Sequence, residues 1–173
     1  DMEVMPISCN FSKLHIKNTE FPAKLDNIAQ KYGIPRDLIV LEFTESIPVE
    51  NWDLFIRTVY ELKKYGFLIA LDDFGKEYSS LALISKLPVD ILKLDKIFLK
   101  GSTQEKLEKD LLKMLVKTLV DNNIDVICEG IETEEHEKVL KEINCSLAQG
   151  YLYGKPMPLG EFEKRLKKNK QVG

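Results

Sequence analysis

The chain has 173 residues, of which 44% are hydrophobic and 31% charged; 25 basic against 28 acidic side chains leave a net charge of −3. That is one domain's worth of chain with enough apolar material for a core, and it is too weakly acidic to hold long nucleic acid or an anionic membrane by a global field. Three scattered cysteines with no CxxC pair favour free thiols in a reducing, cytosolic setting over a disulfide framework, and no apolar run approaches the roughly 20 residues that span a bilayer.

Six strand-like runs follow one another, each succeeded by a helical pattern. The first is Val4–Phe11, an apolar run that contains Cys9 and closes on Asn10. Ala23 to Tyr32 then reads as a helix, with Gly33 and Pro35 as its stop. The second run, Leu38–Thr44, is a near-continuous apolar stretch carrying Glu42, with Glu45 just beyond it. Trp52, Phe55, Val59 and Leu62 form one helical stripe that ends at Gly66. The third run, Phe67–Phe74, ends in the adjacent pair Asp72-Asp73, after which Ser79-Ser80 could cap a helix.

The fourth run, Ile91–Phe98, is interrupted by Lys93 and Asp95. Leu107, Leu111, Met114, Leu115 and Leu119 outline a longer helix after a polar stretch. The fifth run, Asp125–Glu132, contains Cys128, Glu129 and Glu132, and Thr133 then stands as an N-cap before Glu134 and Glu135. The sixth, Leu147–Gly154, contains Gln149; a basic stretch, Lys164–Lys170, lies near the end. Near-continuous apolar strands alternating with helices predict a parallel α/β fold whose sheet is covered on both faces. The pattern alone does not order the strands.

The polar residues stand at the ends of these apolar strands. In a parallel α/β protein those ends share one face, where active sites form. Several carboxylates meeting there repel one another unless cations join them. Carboxylates with an amide oxygen are hard donors and suit Mg²⁺ or Mn²⁺, whereas His15 and His136 fall in helical or loop patterns and no thiolate cluster suggests zinc. Each residue also has a plain structural reading: Glu132 and Asp95 as caps or solvated groups, Lys93 as a buried ion-pair partner, and Trp52, Tyr151 and Tyr153 as packing residues. Pattern alone favours a metal-dependent barrel enzyme over a structural domain without choosing the reaction; a lyase with Lys93 as base is one open alternative.

Taken together, the segments resemble one family. Leu41-Glu42-Phe43-Thr44-Glu45-Ser46 is similar to the ExTES segment of EAL domains, and Leu71-Asp72-Asp73-Phe74-Gly75 with Tyr78-Ser79-Ser80-Leu81 to their DDFG…YSSL loop. Leu87-Pro88-Val89-Asp90-Ile91-Leu92-Lys93-Leu94-Asp95 resembles the LPVDxIKID strand, and Glu129-Gly130-Ile131-Glu132-Thr133 resembles EGxET. Gln149-Gly150-Tyr151-Leu152-Tyr153 with Lys155-Pro156-Met157-Pro158 resembles QGYLxxKPMP, and Pro6-Ile7-Ser8-Cys9-Asn10-Phe11-Ser12 resembles the SVNLS strand. The likeness runs in order along nearly the whole chain.

The resemblance implies a TIM-type (βα)8 barrel and hydrolysis of cyclic di-GMP to linear pGpG with two divalent ions, Mg²⁺ or Mn²⁺. Asn10, Glu42 and Asp72 would bind the first ion, and Asp72 and Asp73 the second, with Glu129 near it. Lys93 would orient the attacking water and Gln149 support it, Glu45 would hold the loop after Asp73 with Ser79 in that loop, and Glu132 would assist from behind. The resemblance also implies a homodimer and possible fusion to sensory or diguanylate cyclase domains; the cysteine usage places the domain in the cytoplasm, in a parent that could be membrane-tethered. The signature Glu-Ala-Leu strand does not occur, so residues 1–173 would be a partial domain, strands three to eight, with the first two supplied from elsewhere. Where the family's loop has Gly before Tyr, Lys76-Glu77-Tyr78 stands here. These departures keep open a second expectation, a degenerate module that binds cyclic di-GMP or a protein without turning it over.

Overall fold

The computed structural model describes residues 4–12, 15, 17–44, 52–76, 84–102 and 106–169. Glu45 and Ser79, both expected at the site, lie outside these residues.

Six strands form one sheet: β1 (Ile7–Asn10), β2 (Ile39–Thr44), β3 (Leu68–Phe74), β4 (Ile91–Leu94), β5 (Asp125–Cys128) and β6 (Leu147–Ala148). They lie side by side in chain order, and every neighbouring pair is parallel. Sequential parallel order with intervening helices is the arrangement of a barrel wall. Among the described residues the α-helices are α1 (Phe21–Lys31), α2 (Trp52–Tyr65), α3 (Ile97–Ser102), α4 (Lys106–Asp121), α5 (Glu134–Ile143) and α6 (Leu159–Asn169).

Alternation along each strand separates two faces. One face carries Leu41, Phe43, Ile69, Leu71, Leu92, Leu94, Val126 and Cys128, and all are buried. The stripe Phe55, Val59 and Leu62 of α2 and Leu112, Val116 and Leu119 of α4 belong to the same core. The other face carries Asn10, Glu42, Asp72, Lys93 and, one residue past its strand, Glu129. A sequence of apolar strands studded with charges is thereby resolved into an apolar outer face under helices and a polar inner face.

Several strand runs are shorter than expected. The fourth stops at Leu94 because Asp95 accepts a hydrogen bond from the Ile97 amide (2.9 Å) and the chain turns into α3. The fifth stops at Cys128 and the sixth at Ala148; the Gln149 and Ile131 backbones bond to each other across the gap (3.1 Å). On α4, Leu107, Leu111 and Met114 face outward instead of inward, since the helix packs through Leu112, Val116 and Leu119. Tyr151 and Tyr153 are surface residues and not packing residues; Lys155 Nζ lies 5.6 Å above the Tyr151 ring, and Arg165 donates to the Tyr153 carbonyl. Cys9 is exposed on β1, while Cys128 and Cys145 are buried. Thr133 caps α5 as expected, accepting from the His136 amide at 3.3 Å, and Asn144 ends the helix at φ 59°.

The opposite end of the sheet is held by Asp90. Its carboxylate accepts from Lys63 Nζ (2.5 Å) and from the Ile69 amide (2.8 Å), tying α2 and β3 to the start of β4. Among the described residues, no helix is long and apolar enough to cross a membrane.

Candidate active site at the strand ends

Register sets the site. Asn10 is paired with Glu42 across β1–β2. Glu42 is paired with Ala70, so Asp72 projects from the same face two residues further along β3. Asp72 lies one step past the Leu71–Leu92 pair, level with Lys93, and Lys93 is paired with Ile127, two residues before Glu129. The functional position climbs by two residues at intervals around the sheet, which is the stagger a tilted barrel wall requires.

Lys93 is the hub. Its Nζ lies 2.8 Å from Glu129 Oε1, 3.0 Å from Glu42 Oε1 and 3.1 Å from Asp72 Oδ1. Lys93 is only 4% exposed and Glu42 6%. Burial pushes the Lys93 pKa down, but its hydrogen bonds to Glu129 and Glu42 outweigh burial and hold it above the ordinary lysine value. The side chain is thereby held as a cation that donates hydrogen bonds to the three carboxylates. One ammonium cannot compensate three carboxylates. Burial, with repulsion from Asp72 added, raises the Glu129 pKa despite the Lys93 contact.

The third strand is irregular at the site. The ladder to β4 shifts register between Leu71 and Phe74, and Asp73 has φ 58°, a left-handed angle uncommon outside glycine. The Asp73 amide donates to Asp72 Oδ1 (3.0 Å), and the Asp73 carboxylate meets Lys76 Nζ at 3.3 Å. Bulges recur beside active sites because they re-aim a side chain; here the irregularity falls on the Asp72-Asp73 pair. Gly75 follows at φ 101°, and a side chain there would run into the Phe98 ring of α3, which stacks on Phe74 with centroids 6.3 Å apart.

The remaining expected residues fall nearby. Asn10 is exposed at the end of the first strand. Gln149 is exposed, its amide donating to the Cys128 carbonyl (2.8 Å). Glu132 is exposed and paired with Lys96 at 3.7 Å. The structure thus brings Glu42, Asp72, Lys93 and Glu129 into contact and leaves Asn10, Asp73, Glu132 and Gln149 around them. Two contacts had no clear signal in the sequence: the Lys76–Asp73 ion pair, and the approach of Cys128 to Cys145.

Among the described residues, no three Asp, Glu, His or Cys side chains form a ready-made cation cage; the carboxylates are drawn onto Lys93 instead. Their chemistry nevertheless fits a hard cation, since Glu42, Asp72 and Glu129 offer oxygen donors and carry more negative charge than Lys93 balances.

A parallel barrel wall with carboxylates gathered on one buried lysine at the strand ends defines an α/β-barrel protein with an acidic centre. A family model for the EAL domain matches residues 1–156. The chain belongs to the EAL domain family, and its six strands are part of a TIM-like barrel. It is 35% identical over 152 residues to the Borreliella burgdorferi protein named cyclic di-GMP phosphodiesterase PdeA, covering 88% of this chain and 23% of that one. The solved EAL domain of Mycobacterium smegmatis DcpA superposes with a TM-score of 0.85 at 30% identity, over 94% of this chain and 73% of that one. Klebsiella pneumoniae BlrP1, solved in complex with manganese and cyclic di-GMP, superposes with a TM-score of 0.80 at 25% identity, over 87% and 39%. The chain spans about a fifth of the length of the curated relatives it matches.

Proposed function

We propose that the protein containing this chain hydrolyses cyclic di-GMP to linear pGpG at this centre, with two Mg²⁺ or Mn²⁺ ions. The observation that carries the reading is the convergence of Glu42, Asp72 and Glu129 on Lys93 at the strand ends. Asn10, Glu42 and Asp72 would hold one ion, and Asp72 and Asp73 the other with Glu129 beside it. Such ions activate water and stabilise a leaving oxygen in phosphodiester cleavage. Lys93, held as a cation and fixed on three sides, orients the water and offsets phosphate charge through its donors. Gln149 supports the water, Glu132 holds Lys96 beside the site, and Glu45 with Ser79 shapes the loop after Asp73. The manganese and cyclic di-GMP complex of BlrP1 and the named activity of PdeA support this reading. Incubating the complete parent protein with Mn²⁺ and cyclic di-GMP tests it: pGpG is expected, and an intact dinucleotide under saturating metal would sink it.

The second reading is a module that binds cyclic di-GMP or a protein without turnover. The Lys76 cation seated on Asp73 favours it, because it competes for a carboxylate the second ion needs. Tight binding of the dinucleotide with no product would establish this reading in place of the first.

The same proposal places the domain as strands three to eight of its barrel, in the cytoplasm, within a longer protein carrying sensory or cyclase domains. The far greater length of the matched relatives supports the last point. A homodimer belongs to the same proposal.

A further inference from the structure

Cys128 and Cys145 stand 17 positions apart in sequence, on β5 and between α5 and β6, with their sulfurs 3.4 Å apart. Both thiols are free; Cys128 is 1% exposed and Cys145 8%. The Cys128 thiol donates to Cys145 Sγ, and Cys145 Sγ lies 3.3 Å from the carbonyls of Val126 and Leu147. The pair bridges the outer face where the sheet is thinnest, since β5 and β6 are paired only at Ile127–Leu147 and Cys128–Ala148. On the inner face the next residue is Glu129, whose amide donates to the Leu94 carbonyl (2.9 Å), and the Cys128 carbonyl receives the Gln149 amide (2.8 Å).

We propose that Cys128 and Cys145 are a reversible oxidation site, a dithiol that a hydroperoxide converts to a disulfide and that thereby moves Glu129 and Gln149. Cys145 is the more accessible sulfur and accepts the hydrogen bond of the Cys128 thiol, which makes it the sulfur that meets the peroxide first. The Cys145 thiolate attacks the peroxide oxygen; the O–O bond breaks, the second oxygen leaves as water or an alcohol, and Cys145 becomes a sulfenic acid. Cys128 sulfur then attacks Cys145 sulfur, the S–O bond breaks, and the hydroxyl leaves as water with the Cys128 proton. Two electrons pass from the sulfurs to the peroxide. Bond formation draws the sulfurs together by more than about 1 Å, and a packed strand transmits such a shift to its neighbours. The consequence for catalysis rests on the function proposed above; the oxidation and the displacement do not.

The test compares the complete protein reduced with dithiothreitol and treated with hydrogen peroxide, without metal or dinucleotide. Peptide mass spectrometry should find Cys128 and Cys145 joined with loss of two hydrogens. Amide hydrogen exchange at Glu129 and Gln149 should change by about fivefold or more, returning on reduction. Cys145→Ser should show neither effect. Full alkylation of both cysteines after peroxide overturns the proposal, as does a disulfide that leaves both amides exchanging at their reduced rates. Neither readout depends on turnover, so failure of the phosphodiesterase reading is seen separately, as absence of pGpG from reduced protein.

Discussion

Lys93 Nζ and Glu129 Oε1 lie 2.8 Å apart across the β4–β5 boundary, and the same ammonium bonds Glu42 and Asp72. The lysine offsets part of the charge of this carboxylate cluster. Breaking a buried ion pair by removing one partner typically costs about 3–5 kcal/mol. Lys93→Met should therefore destabilise the metal-free domain by about that much, as measured by chemical denaturation. Added Mn²⁺ should recover part of the loss, because it supplies positive charge to the same oxygens. A variant as stable as the parent without metal would contradict the hub role.

Glu129 tests the other side of the pair. Its pKa is raised in the fold, by burial first and then by Asp72, so its contribution favours the folded state below its unfolded pKa and is lost as pH rises through the folded value. At neutral pH the ionised carboxylate is thus a net burden on the metal-free protein. Glu129→Gln should be more stable than wild type at pH 7, with the difference shrinking toward zero below the ordinary glutamate pKa of about 4.3. Stability curves of both proteins between acid and neutral pH check this; a variant less stable at pH 7 and equal in acid would show that the Lys93 contact outweighs burial.

Gly75 combines a left-handed φ of 101° with the Phe98 ring lying where a side chain would go. A residue forced into such backbone costs about 1–3 kcal/mol. Gly75→Ala should be destabilised by at least that, and Phe98→Ala added to it should restore only the steric share. Thermal melting of the single and double variants separates the two; full recovery in the double variant would show that the backbone angle is not a constraint.

Lys76 meets Asp73 through an exposed contact, so its hold is weak and screened by salt. Lys76→Ala should tighten Mn²⁺ binding by about two- to fivefold, more at low than at high ionic strength. Calorimetric titration of both proteins at two salt concentrations measures it. Equal affinities would remove Lys76 as a competitor for the second ion.

The strand sequence and its charged positions were legible because each run is apolar and the charges break a pattern. Alternation put Asn10, Glu42, Asp72, Lys93 and Glu129 on one face once the register was known, but strand order and register are tertiary properties that no single run encodes. The early end of β4 arises from local competition: the Asp95 carboxylate captures an amide and begins α3. The helix Lys106–Asp121 was legible as a helix, while its buried side was not, because leucines populate both sides and packing alone selects Leu112 over Leu111. Cys128 and Cys145 meet through the crossover of α5, a distance in sequence at which two thiols carry no pattern.

In the proposed function, the carboxylates around Lys93 form a hydrolytic centre for cyclic di-GMP. Turnover by the complete protein in Mn²⁺, set against Glu42→Gln, tests it most directly, since glutamine keeps an acceptor for Lys93 and removes a charged donor for a cation. Wild type should release pGpG, and the variant should do so at least about a hundredfold more slowly. Wild type that leaves the dinucleotide intact, or a variant that matches it, would contradict the account.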